Sequence, residues 1–268
     1  MIRMGLKREV TILLILLLLL WLCVTALYAS QNAQKVNYLQ GFHIVRDQEK
    51  LQKIVDETAA EGVIVYDPST DTILAGKSIE KKYSLASLTK IITATIVYEK
   101  DKNQLNAIRE MLKTSNNEEA EKLALAFGSD QKDQVAYMNA FTERFGEMNF
   151  RNVSGLDIMV STSTDGRIPG GEARPMALVG FIKEYYFKYP ELFDQTIVKK
   201  DNTNIIADEL GFLGGGKTGY TDLSGGNLFV AIQKGLDREI FIIILNSTEK
   251  SRFVDVQHIA TFLVQSSI

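Results

Sequence analysis

The chain has 268 residues, of which 46% are hydrophobic and 24% charged, the balance of an ordinary globular protein. A net charge of −3 and a pI near 5.6 give no basis for binding nucleic acid. Two histidines, His43 and His258, and one cysteine, Cys23, are widely scattered, which argues against a structural zinc site and excludes an internal disulfide.

Residues 1–29 read as a targeting segment. Arg3, Lys7 and Arg8 precede an almost unbroken apolar run from Val10 to Ala29. A run of about 20 residues can span a bilayer as a helix. A cleaved signal has a shorter apolar stretch, ~7–15 residues, although Val24-Thr25-Ala26 offers a cleavage site. The length favours a retained membrane anchor over residues 10–29, with a cleaved signal as the alternative. In both readings the early positive charges leave the rest of the chain outside the cytoplasm, at the cell membrane or secreted. Cys23 follows Leu22, where lipid attachment would need a small residue, so it reads as part of the apolar helix. Residues 30–45 are polar and read as a tether, and residues 46–268 as one domain.

Leu51, Ile54, Val55 and Ala59 recur at helical spacing, which predicts an amphipathic helix from Asp47 to Glu61, ended by Gly62. Residues 62–66 and 72–76 flank the turn Asp67-Pro68-Ser69-Thr70-Asp71 and predict a β-hairpin. An apolar helix is predicted from Ser87 to about Lys100, and a short one from Asn103 to Met111. Ser115 reads locally as the N-cap of a further helix, with Glu118 completing a capping box. Tyr137 to Phe145 is predicted helical and 146–168 turn-rich. A helix follows from Ala173 to Tyr189, with Pro175 in its first turn and Met176, Val179, Phe181 and Ile182 as core. Arg174 reads as a buried tie between segments. Residues 227–232 and 240–245 predict a hairpin of hydrophobic strands, and Arg252 to Val264 a closing helix on the sheet.

The chemistry points to Ser87-Leu88-Thr89-Lys90. At i and i+3 on one helical face, a serine hydroxyl and an amine can touch. The amine can take the hydroxyl proton if its pKa is lowered by burial or by another cation. The same spacing recurs at Ser78–Lys81, Ser129–Lys132 and Ser247–Lys250, but only Ser87 opens a long apolar helix. No histidine is placed to serve as the base instead. Ser115 and Asn117 can present a hydroxyl and an amide to the same cleft.

Residues 211–218 fit the phosphate-binding pattern G-x-x-x-x-G-K-[ST]. That loop must join a buried strand to a helix N-terminus. Here Asn204 to Glu209 make a poor buried strand, and Gly219 to Gly226 cannot start a stable helix, so Lys217-Thr218-Gly219 is assigned to an antiparallel strand.

Three elements therefore stand in order: Ser87-x-x-Lys90, Ser115-x-Asn117 and Lys217-Thr218-Gly219. With Ala86 to Ile91, Gly155-Leu156-Asp157 after Asn152, Ala173-Arg174, Asn202-Thr203-Asn204 and Tyr220-Thr221, the chain resembles the D-alanyl-D-alanine carboxypeptidases over roughly positions 60 to 250. The resemblance implies an α/β (α+β) sandwich of the serine β-lactamase/transpeptidase type. An antiparallel sheet drawn from both chain ends would be flanked by helices, with a helical subdomain inserted at about 100–200. It further implies Ser87 as nucleophile, Lys90 as its base and Ser115 as a proton relay to the leaving amine. Asn117 would hold the substrate amide, Lys217 and Thr218 the terminal carboxylate, and the N–H groups of Ser87 and Tyr220 the oxyanion, with Gly219 beside them. The implied partners are peptidoglycan stem peptides, and β-lactams as inhibitors, with no metal and no cofactor. Between Lys90 and Ser115 the chain is several dozen residues shorter than is usual in that family. A non-catalytic, membrane-tethered binding module on the same fold is the alternative. A class A β-lactamase would need a Glu-x-x-x-Asn pattern, which is absent between Glu118 and Gly216.

Overall fold

The computed structural model describes residues 45–160 and 166–268, together with scattered positions between 18 and 33. Two compact units are distinguished, residues 48–266 and residues 1–47 with 267–268, and the first holds the sheet and its helices. The anchor expected over 10–29, the tether over 30–45 and His43 fall wholly or mainly outside the described residues. No helix among those described is long and apolar enough to cross a membrane.

Five antiparallel strands make the sheet: β1 (Gly62–Asp67), β2 (Thr72–Lys77), β8 (Leu213–Thr221), β9 (Gly225–Gln233) and β10 (Glu239–Ser247), in spatial order β2-β1-β10-β9-β8. The first and last parts of the unit thus meet at β1 and β10, where Val63 lies opposite Ile244 and Val65 opposite Ile242. Side chains alternate between the two faces of a strand. Ile64, Tyr66, Phe229, Ala231, Phe241 and Ile243 join one large core with residues of the helices. Their alternates, among them Val63, Val230, Ile242 and Ile244, are also buried, on the other face. Burial on both faces explains why these strands are continuous apolar runs rather than alternating ones.

Between β2 and β8 lie the short strand β3 (Tyr83–Ser84), α2 (Thr89–Lys100), α3 (Leu105–Thr114), α4 (Asn117–Ala124) and α5 (Gln131–Thr142). After them come β4 (Met148–Phe150), β5 (Ile158–Met159), β6 (Arg167–Ile168), β7 (Gly171–Ala173) and α6 (Pro175–Lys188). Ten consecutive residues of α2, Thr89 to Tyr98, are buried, so it runs through the core instead of along the surface. The closing helix α7 (Ser251–Gln265) packs on β9 and β10. An antiparallel sheet flanked by helices is the architecture expected from the sequence.

Local details differ. The first helix, α1 (45–56), stops before the turn at 57–61, and Gly62 opens β1 instead of ending the helix. Pro175 does stand in the first turn of α6, but Met176 is 39% exposed while Val179, Phe181 and Ile182 are buried. Arg174 is not buried; partly exposed, it ties segments together through Glu80 and Glu147. Ser115 is not an N-cap: Asn116 caps α4, its side chain accepting from the Glu119 N–H, and Glu118 completes no capping box. Residues 211–218 include no phosphate loop, because Leu213 to Thr221 form a strand paired antiparallel to β9.

Candidate active site

Ser87 lies in a single 3-10 turn, Ala86–Leu88, immediately before α2. Ala86 adopts φ 45°, a left-handed conformation that costs a residue with a Cβ about 1–3 kcal/mol and persists only where its surroundings impose it. Two glycines impose it here. A Cβ on Gly155 would stand 1.9 Å from the Ala86 carbonyl oxygen, and one on Gly219 would stand 2.8 Å from Leu85 O and 3.1 Å from Ser87 N. The Ser87 turn is therefore clamped, backbone against backbone, between the 152–157 loop and β8.

Lys90, on the first turn of α2, is fully buried. Its Nζ lies 2.8 Å from Ser87 Oγ, 2.6 Å from Asn117 Oδ1 and 2.9 Å from the Ser154 carbonyl oxygen. Asn117 Oδ1 and the Ser154 carbonyl can only accept, so they take two hydrogens of the amine. In the neutral form the lone pair is then left for the Ser87 O–H. Burial pulls the Lys90 pKa down to about 7, against a weaker upward pull from Glu121, so the neutral form is accessible near neutral pH.

Lys217, on β8, is also fully buried and donates to Ser115 Oγ at 2.9 Å and to the Thr218 carbonyl at 2.8 Å. Its pKa is pushed well down by burial and then by the charges of Lys90 and Arg252. Ser115 reaches it because φ 60° at the C-terminal end of α3 turns the chain sharply there. The junction of α3 and α4 is thus held from two sides, at Asn117 by Lys90 and at Ser115 by Lys217. Thr218 Oγ1 meets Thr203 Oγ1 at 2.5 Å, and the Thr203 N–H donates to the Lys113 carbonyl. Tyr220, 47% exposed, stands at the rim. All eight residues singled out in the sequence, Ser87, Lys90, Ser115, Asn117, Lys217, Thr218, Gly219 and Tyr220, fall on these converging segments.

Sequence reasoning alone gave no role to three residues at the site. Ser154 acts through its carbonyl, which no side-chain pattern marks. Asn152, quoted above with Gly155-Leu156-Asp157 only as part of the resemblance, shapes that loop, accepting from Gly155 N–H at 2.7 Å and donating to Leu156 O at 2.8 Å. Arg252, given by the sequence only as the start of the closing helix, is buried, and its Nη1 donates to the Gly219 carbonyl of β8. Among the described residues no group of three or more His, Cys, Asp or Glu could hold a metal ion.

A family model described as D-alanyl-D-alanine carboxypeptidase matches residues 48–123. The stretch from 48 to 123 resembles that family. It carries Ser87, Lys90, Ser115 and Asn117 and ends well before Lys217. The enzyme class this family names, a serine carboxypeptidase of the D-Ala-D-Ala type, is the one read from the motifs. The fold extends the likeness beyond the matched stretch. Penicillin-binding protein D2 from Listeria monocytogenes, solved with ampicillin, has a TM-score of 0.67 at 22% identity, covering 77% of this chain and 98% of its own. A peptidoglycan synthesis regulatory factor from Streptococcus pneumoniae has a TM-score of 0.66 at 22% identity, covering 78% and 72%. A D-alanyl-D-alanine carboxypeptidase from Mycobacterium tuberculosis has a TM-score of 0.63 at 19% identity, covering 79% and 95%. The chain therefore has the fold of the penicillin-binding carboxypeptidases. No curated protein sequence matches it.

Proposed function

We propose that this chain is a serine D-alanyl-D-alanine carboxypeptidase that trims peptidoglycan stem peptides through an acyl-enzyme on Ser87. The observation that carries this reading is the Lys90 amine, buried, 2.8 Å from Ser87 Oγ and without a carboxylate partner among the described residues. A serine is inert near neutral pH unless a base stands beside it, and this one has such a base.

In the proposed reaction the substrate's terminal carboxylate enters beside Thr218 and Lys217. It brings the negative charge that two buried amines lack, so Lys217 becomes the charged member of the pair and Lys90 stays neutral. Lys90 takes the Ser87 proton as Oγ bonds to the carbonyl carbon between the two D-alanines. The oxyanion is received by the N–H groups of Ser87 and Tyr220, a kind of contact typically worth about 3–4 kcal/mol per donor in the barrier. When the C–N bond breaks, Ser115 relays the proton from Lys90 to the leaving nitrogen, which returns Lys90 to its neutral form. Lys90 can then activate the water that releases the shortened peptide. β-Lactams, which present a strained amide and a carboxylate, should acylate Ser87 by the same route.

The proposal extends to place. The basic residues at 3, 7 and 8 and the apolar run over 10–29 support an extracytoplasmic enzyme held at the cell membrane, where its substrate lies. The shortened segment between Lys90 and Ser115 is the one feature that favours a non-catalytic binding module, since it removes wall from the groove. Mass spectrometry of a stem pentapeptide after incubation separates the two. The enzyme yields the tetrapeptide and free alanine, and Ser87→Ala does not; an intact pentapeptide with well-folded protein would leave only binding.

A further inference from the structure

Arg252 opens α7 and is only 6% exposed, yet among the described residues it has no acidic partner. Burial lowers its pKa, against weaker upward pulls from Glu249 and Tyr220. A buried, unpaired guanidinium is costly to keep, and replacing such a group by an apolar one of similar volume is often neutral or stabilising. Its stem contributes packing, with Cδ 3.1 Å from where a Gly226 Cβ would stand and the guanidinium 4.7 Å from the Phe253 ring centroid. Packing does not need the charge. What the charge does is specific: Nη1 donates to the Gly219 carbonyl at 2.5 Å and reaches the Asn227 carbonyl at 3.4 Å.

The Gly219 carbonyl and the Tyr220 N–H belong to one peptide unit. In a trans unit the two point in opposite directions, and resonance couples them. A cation on the carbonyl therefore fixes the plane of that unit and draws electron density toward oxygen, which makes the N–H at its other end a better donor. The Cα of Gly219 already abuts the Ser87 turn, so the orientation of this single peptide decides where the Tyr220 N–H points relative to a carbonyl bonded to Ser87.

Resting on the proposed acyl-enzyme reading, we propose that Arg252 is a positioning residue that acts through the Gly219 carbonyl to aim and polarise the Tyr220 N–H of the oxyanion site. It touches no reacting atom. Its contribution appears in the transition state, where charge develops on the oxyanion, and not in the initial capture of ligand. The same guanidinium also repels charge on Lys217, so it is part of the field that an entering carboxylate relieves.

The test is pre-steady-state acylation by a fluorescent penicillin, which separates the non-covalent dissociation constant from the acylation rate constant, together with thermal melting. Three proteins are compared: wild type, Arg252→Met, which keeps the stem, and Arg252→Lys. In Arg252→Met the rate constant should fall at least about tenfold, a fraction of the effect of deleting an oxyanion donor outright. The dissociation constant should stay within about threefold, since ground-state binding is not what changes. The melting temperature should not fall, and Arg252→Lys should recover part of the rate. An unchanged rate constant, or a rate, affinity and melting temperature that decline together, would overturn the proposal. If wild type itself is not acylated, it is the carboxypeptidase reading that fails, and Arg252 loses its proposed role with it.

Discussion

Two ends of the same sheet treat buried charge in opposite ways. Beside β1, Asp67 is fully buried, and Arg238 places Nε and Nη2 on one of its carboxylate oxygens, at 2.9 and 2.6 Å. Burial alone would raise the Asp67 pKa, but hydrogen bonds from Ser69 and Arg238 outweigh it and hold the carboxyl below its ordinary value. Beside β8, Lys90, Lys217 and Arg252 are buried and form no ion pair among the described residues, with only the weaker upward pulls of Glu121 on Lys90 and Glu249 on Arg252. The first arrangement fixes a turn and is complete. The second leaves buried cations facing the Ser87 turn without an ion pair, which suits the carboxylate-bearing peptide proposed as its substrate.

Substitutions can break this contrast at either end. The largest effect belongs to the base: Lys90→Met should slow Ser87 acylation about 10³-fold, within the range for loss of a general base. Its melting temperature should move by no more than ~4 °C, about 1 kcal/mol for a domain of this size, read by stopped-flow labelling and calorimetry. Next is Gly219→Ala, whose methyl has no room against Leu85 O and Ser87 N. Pushing β8 off the nucleophile turn should cost roughly 10² in acylation rate, with circular dichroism unchanged. At the paired end the expectation reverses. Asp67→Asn should lower stability by about 1–3 kcal/mol in urea unfolding and leave acylation unaltered. Were acylation to fall there as well, the two ends would not be independent. The smallest effect is Thr203→Val, which removes the hydroxyl met by Thr218. Loss of one hydrogen bond of about 1 kcal/mol should raise KM for the pentapeptide several-fold and leave kcat nearly untouched.

Much of this was legible in the sequence because the informative residues are side chains in fixed order. Ser87 and Lys90 stand three residues apart at the start of a long apolar helix, and that context, absent from the three other Ser-x-x-Lys spacings, singles them out. The failure of residues 211–218 as a phosphate loop follows from Gly219 to Gly226, which cannot start a helix. What escaped was set by backbone. No residue type announces that Ala86 takes φ 45°, that Ser154 offers its carbonyl, or that Arg252 grips a peptide unit one strand away. Ser115 shows how a local rule can mislead. Its surroundings spell a capping box, but Asn116 is the better-placed cap, and the left-handed turn at Ser115 frees its hydroxyl for Lys217. Met176 looked like core by spacing but faces outward, because the helix position was inferred from periodicity and not from what covers it.

The central claim is that a neutral, buried Lys90 activates Ser87, and the pH dependence of covalent labelling tests it most directly. Burial has brought the Lys90 pKa to about 7, so above that pH the base is free and below it the base is protonated. Intact-mass measurement with peptide mapping should show a penicillin adduct on Ser87. Its rate should be flat at mildly alkaline pH and fall about tenfold per unit once the pH is below ~7, the behaviour of one essential group in its basic form. An adduct on another residue, or a Ser87 rate that stays constant down to pH 5, would contradict the account.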